Sequence, residues 1–138
     1  MLEVNNDFFT TTDAQHALQE LYKTRFDAKT ATNLCKIKKE FDKLFKEISI
    51  KGQAIMFKYA ELDENKKFIA DRENEHGIKF KPGMYAQAQK EISEFLNTKI
   101  TIPHINPIPR GLISEISVLS LEALNPVLEK EKSLELVN

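Results

Sequence analysis

The sequence predicts an α+β fold: one long amphipathic helix or helical hairpin, packed with a small antiparallel sheet and two shorter helices. Three observations support it. Leu34, Phe41, Ile48, Ile55 and Leu62 recur every seven residues, the repeat of a helix that keeps one face apolar. Ile78 with Phe80, and Ile100 with Ile102, alternate with polar residues, as in strands with one buried face. A chain of 138 residues, 41% hydrophobic and 30% charged, suffices for one core, so residues 1–138 read as a single domain.

Taking the elements in order, "TTTDAQHALQELYKTRF" opens with Thr12 and Gln15 at the spacing of a capping box, in which hydroxyl and amide answer each other's backbone N–H. Ala14, Ala17, Leu18, Leu21 and Tyr22 then follow at steps of three and four, which places them on one helix face. Asp27 either caps a second helix or lies within a continuous one. The seven-residue repeat next predicts a helix of about 30 residues, roughly 45 Å long, with Ile37, Leu44, Phe45 and Tyr59 in the adjoining rows. Its companion position reads Ile37, Leu44, Lys51, Lys58. The seam therefore turns polar in its second half, where Gly52 also weakens the helix. A full-length symmetric coiled coil is not expected. The expectation is a helix packed on its own domain with one end projecting; the alternative is a partner chain or a homo-oligomer along that helix.

In "KKFIADRENEHGIKF", Phe68 with Ile69 and Ile78 with Phe80 flank a polar connection ending in Gly77, which predicts a hairpin with a longer loop. Pro82 ends that strand and opens a helix with Met84, Ala88, Ile92, Phe95 and Leu96 inward and Asn97 as its stop. Ile100 and Ile102 form a strand closed by Pro103, expected to share a sheet with the hairpin, and Pro107 and Pro109 keep the following chain extended. Ser120 or Asn125 can cap a short last helix, with Pro126 at a first-turn position. The polar end "EKEKSLELVN" is expected to gain order only against a partner, since termini normally fray.

A net charge of -1 gives no global field for nucleic acid or anionic membrane. Cys35 is the only cysteine, which rules out an intrachain disulfide and fits a reducing compartment. No basic segment precedes an apolar run at the N-terminus, and no apolar run approaches the ~20 residues that span a bilayer. A soluble protein made in the cytoplasm, without a membrane role, is expected.

The stretch "MFKYAELDENKKFIADRENEHGIKF" invites a metal site and fails its spacing. Asp63 and Asn65 match the start of a calcium loop, but Lys67, Phe68 and Asn74 stand where a third oxygen ligand, a glycine and a bidentate glutamate belong. Asp71, Glu73, Glu75 and His76 offer no histidine pair at helical spacing. His16, His76 and His104 lie far apart in sequence, and Cys35, beside Leu34 and near lysines, reads as a packed helical thiol. No nucleophile elbow or phosphate-cradling glycine array is present. A non-enzymatic protein with no cofactor and no metal is expected. Lys36, Lys39, Lys43 and Lys46 fall at steps of three and four and form a basic stripe. Between residues 20 and 60 the basic side chains outnumber the acidic ones ten to five. Asp42 and Glu47 lie within reach of the stripe and no aromatics interleave with it. The stripe therefore reads first as a solvated helix face, with nucleic acid and an acidic protein partner as the alternatives.

The segments "KYAELDENKKF", "KEISEFLNTKITI" and "LSLEALNPVLE" resemble a family of small, mostly uncharacterised bacteriophage proteins, over about residues 17 to 129. In that family a long helix runs into a KYxExDExGK-like turn, followed by an acidic helix ending in ELLN, an alternating strand and a short C-terminal helix. This sequence departs at the turn, where Lys66 and Lys67 follow Asn65 and the glycine is missing, so a tight two-residue turn is not expected. The resemblance implies a phage-encoded protein acting by protein–protein contacts, as a virion structural or assembly component of the tail or head-to-tail region. It would then reside in the virion, and in the host cytoplasm during synthesis, with other phage structural proteins or a host protein as partners. A phage protein that binds and inhibits a host defence factor is the alternative, and a small enzyme without a recognisable motif the third. The contact residues expected are Lys36, Lys39, Lys43, Lys46 and, at the hairpin tip, Asn74 and His76.

Overall fold

Leu2 and Val4 alternate with Glu3 and Asn5, and this brief pattern forms β1 (Leu2–Asn5), which pairs antiparallel with β2 (Lys99–Ile102) from Leu2↔Ile102 to Asn5↔Lys99. The computed structural model describes residues 1–113 and 117–130. The expectation that the "EKEKSLELVN" end needs a partner for order falls, from residue 131 onward, outside the described residues. The sheet is two-stranded. It therefore combines the predicted Ile100 strand with the N-terminal strand and not with the hairpin. After β1 a 3-10 turn, Asn6–Thr10, buries Phe8 and Phe9.

Helix α1 (Thr12–Lys23) buries Ala14, Ala17, Leu18 and Leu21, as its spacing predicts. Its cap is Thr11, whose side chain accepts from the Ala14 amide at 3.2 Å. The predicted box starting at Thr12 is shifted by one residue, and no glutamine answers. Asp27 caps the long helix α2 (Ala28–Tyr59), accepting from the Thr30 amide at 2.7 Å. At 32 residues this helix is about 48 Å long. Leu34, Ile37, Phe41, Ile48 and Tyr59 are buried along it, while Leu62 lies beyond its end. Lys51 and Lys58 are exposed, so the seam does become polar. Cys35 is exposed too, contrary to the packed thiol expected, because it sits one residue off the buried row marked by Leu34.

Helix α3 (Tyr85–Leu96) lies against the second half of α2, with Ala88 buried. A β-carbon on Gly52 would meet the Phe95 ring at 3.6 Å, ordinary contact. Asn97 is the C-terminal cap of α3, its amide reaching the Ser93 carbonyl at 3.1 Å. The last helix, α4 (Val118–Leu124), is capped by Ser117, not by Ser120 or Asn125, and packs on α1. A 3-10 turn, Asn125–Val127, follows with Pro126 in its first turn, as predicted. Ile108 then exchanges backbone hydrogen bonds with Val127 and Glu129 at 2.8 and 2.9 Å.

The main core gathers β1, the Phe8–Phe9 turn, α1, α2 as far as Ile48, β2 and α4. At its centre Phe9 meets Phe41 edge-on at 5.5 Å and Phe45 at 5.2 Å, contacts worth about 0.5–1.5 kcal/mol each beyond burial. Asn6, buried beneath, donates to the Phe95 carbonyl at 2.9 Å and so satisfies a backbone acceptor at the end of α3.

The far end of α2 is not bare, as a projecting end would be. Tyr59, Phe80 and Ala88 form a second cluster with Ile55, Met56, Ile78 and Met84 against it. The chain between α2 and α3 makes three short segments that bridge one another, through Ala60↔Phe80, Leu62↔Phe68 and Ala70↔Ile78, all antiparallel. Ala70↔Ile78 belongs to the predicted hairpin, and Gly77 turns with φ 69°. At the other turn Lys66 takes φ 60°, a left-handed conformation that favours glycine. Asp63 closes that turn by accepting from the Asn65 and Lys67 amides at 2.8 and 3.0 Å. The loop is the three-residue kind, whose last residue is left-handed.

Candidate interaction face and polar fasteners

A helix fixes the direction of each side chain by 100° per residue, so steps of three and four keep positions in line. Lys36, Lys39, Lys43 and Lys46 are all exposed, on the side of α2 opposite Leu34, Phe41 and Ile48. The structure thus brings the four predicted lysines onto one open face. Lys43 reaches Glu47 at 4.0 Å. Lys36, Lys39 and Lys46 form no ion pair among the described residues. Asp42 pairs with Lys38 at 2.6 Å, off the stripe.

The line continues beyond the lysines. Four residues after Lys46 comes Ile50, then Gln53, then Phe57, each exposed. Ile50 is 59% and Phe57 41% exposed, high for large apolar side chains. Phe57 also stacks nearly flat on Phe68 of the connecting segments, with ring centres 4.2 Å apart. Sequence reasoning followed the inner apolar row and passed over these two. The signal was present in the unbroken three-and-four spacing from Lys36 to Phe57.

Asn74 and His76 occupy the hairpin tip as expected, yet their polar atoms are engaged within the molecule. The Asn74 side chain donates to the Ile78 carbonyl and accepts from the His76 amide at 3.0 Å. The His76 ring meets Gln89 of α3, whose amide also donates to Glu75. It lies edge-on to Phe80 at 5.9 Å. The tip is therefore fastened to α3.

Two further polar groups act as fasteners. Tyr59 donates to Glu91 across α2 and α3, and Lys58 reaches the same carboxylate at 3.2 Å. The Tyr59 hydrogen bond, with the Lys58 ammonium adding, holds the Glu91 carboxyl below its ordinary range. On the other side of the molecule the Glu20 carboxylate receives the first turn of α4 through Ser117 and Ser120. Among the described residues His16 and His104 make no hydrogen bond or ion pair, and no three metal-ligating side chains gather. No described helix is long and apolar enough to cross a membrane. No family model, no curated protein and no solved structure matches this chain.

Proposed function

We propose that the protein is a non-enzymatic bacteriophage protein that acts by protein–protein contacts, as a virion structural or assembly component of the tail or head-to-tail region. The observation that carries the contact reading is the outward face of α2, where four lysines run in line with exposed Ile50 and Phe57. Large apolar side chains left in water beside a charged row favour association, since covering them recovers about 25 cal/mol per Å². The polar clusters described above have structural employment: Glu20 fastens α4, Glu91 fastens α2 to α3, and Gln89 fastens the hairpin tip. The phage setting rests on the resemblance across residues 17 to 129. An acidic host defence factor as the partner is the second reading, favoured by the lysine half of the face.

Mass spectrometry of purified virions tests the placement. A stoichiometric copy number supports a virion component. Absence from the particle, with the protein abundant in infected cells, overturns it and leaves the host-directed reading.

A further inference from the structure

Lys36, Lys39, Lys43, Lys46, Ile50 and Phe57, with Gln53 between the last two, are separated by three, four, three, four, three and four residues. This is the spacing by which one helix meets another along a seam, and here it runs for about 32 Å. The seam is divided. Its first half is four ammonium groups and its second half is Ile50 and Phe57 with the uncharged Gln53 between them, widened by the Phe57–Phe68 stack. We propose that this face docks an α-helix of a partner protein, whose facing positions are carboxylates along one half and apolar side chains along the other. The proposal deepens the contact reading above and rests on it.

Charge complementarity selects this occupant. In a parallel pairing with a second copy, each lysine would face a lysine. In an antiparallel pairing the lysines would face Ile50 and Phe57, and no carboxylate lies in the seam to receive them. Both self-pairings leave the ammonium groups unanswered. Glu40 and Glu47 flank the seam on one side and Asp42 lies on the other; of these, Asp42 is taken by Lys38 and Glu47 reaches Lys43 only at 4.0 Å. A nucleic acid would satisfy the lysines but bring phosphates toward Ile50 and Phe57, which gain nothing from them. An amphipathic helix with an acidic half answers both halves at once.

Two synthetic helix-favouring peptides of the seam's length test this with the full chain. One carries glutamates at four consecutive seam positions and leucines at the next three. The other has the same residues moved off the three-and-four spacing. The ordered peptide should bind about tenfold tighter or more, a difference of about 1.4 kcal/mol. The variant with Lys36→Glu, Lys39→Glu, Lys43→Glu and Lys46→Glu should lose it and instead bind a peptide with lysines in place of the glutamates. The double variant Ile50→Ser, Phe57→Ser should weaken binding while keeping the salt dependence. All six positions are exposed, and an unchanged melting curve verifies that each variant folds. Equal binding of the two peptides, absence of binding, or tighter binding of a short DNA duplex would overturn the proposal. Its failure is separable from that of the virion reading. A chain found in virions that ignores both peptides retains its placement and loses the seam; a chain that binds the ordered peptide but is absent from virions does the reverse.

Discussion

Ser120 donates its hydroxyl to Glu20 at 2.5 Å, joining α4 to α1 across a hundred residues of chain. Glu20 also accepts from the Ser117 amide at 3.0 Å and from the Ser117 hydroxyl at 3.4 Å. The Ser120 hydrogen bond first, then the Ser117 amide, hold the Glu20 carboxyl below its ordinary value of 4.5. A carboxyl lowered in the folded state stabilises above its unfolded pKa, and that contribution is lost as pH falls through the folded value. Acidification below 4.5 should therefore loosen α4 from α1. Hydrogen exchange over Val118–Leu124 measures it: protection there should fall before protection in α2, and Glu20→Ala should give the same loosened α4 at neutral pH. Undiminished α4 protection in that variant would remove the fastening role.

Ile48 is 3% exposed in the main core. Ile48→Asp places an unpaired carboxylate among apolar side chains, costing about 4 kcal/mol or more. Against a typical stability of about 5–15 kcal/mol, the variant should be unfolded or close to it. Circular dichroism should show lost helicity at room temperature; a wild-type melting curve would displace Ile48 from the core.

Lys66 at φ 60° holds a conformation that costs an L-residue about 1–2 kcal/mol. Lys66→Gly removes that cost and gives back part of it as unfolded-chain entropy. The net expectation is a gain of about 0.5–1 kcal/mol, read as a small rise in Tm. A lower Tm would mean that the lysine side chain compensates.

The Tyr22 hydroxyl is buried with no hydrogen-bond partner among the described residues. Burial, with the nearby Asp42 charge adding, pushes its phenol well above the ordinary value. Leaving a buried hydroxyl unsatisfied costs about 1–3 kcal/mol, and phenylalanine would keep the ring. Tyr22→Phe should thus raise stability by about 1 kcal/mol in a urea titration, while Tyr22→Ala should lower it.

What was legible in the sequence was whatever depends on local repetition. The Leu34–Phe41–Ile48 row defines α2, Gly77 a positive-φ turn, and Ile100 with Ile102 a strand, while Asp27 fits both a cap and a place within one continuous helix. Features fixed by distant partners were not legible. Leu2 and Val4 alternate only once, and β1 is a strand because Lys99–Ile102 lies beside it. Ser120 is a polar residue in an apolar run, buried because Glu20 receives it. Threonine follows threonine at residues 10 to 12, so which one caps α1 is decided by where the Phe8–Phe9 turn releases the chain. For the candidate face, helix geometry alone aligned the four lysines. Whether Ile50 and Phe57 stay uncovered depends on where α3 and the connecting segments lie, and no local pattern records that.

The division of α2 between two clusters has a consequence for how changes in one part of the chain reach another. The main core draws none of its fully buried side chains from between Ile48 and Ile102, and the Lys81 amide bonds the Tyr59 carbonyl directly at 2.9 Å. The chain between those two residues is thus a closed excursion, held to the second cluster by Ile78 and Phe80 and outside the main core. The lysines lie on the part of α2 that builds the main core, whereas Phe57 lies near its other end, where Phe68 of the excursion stacks on it. A change at Phe68 therefore reshapes the apolar half of the outward face while leaving every fully buried side chain of the main core in place.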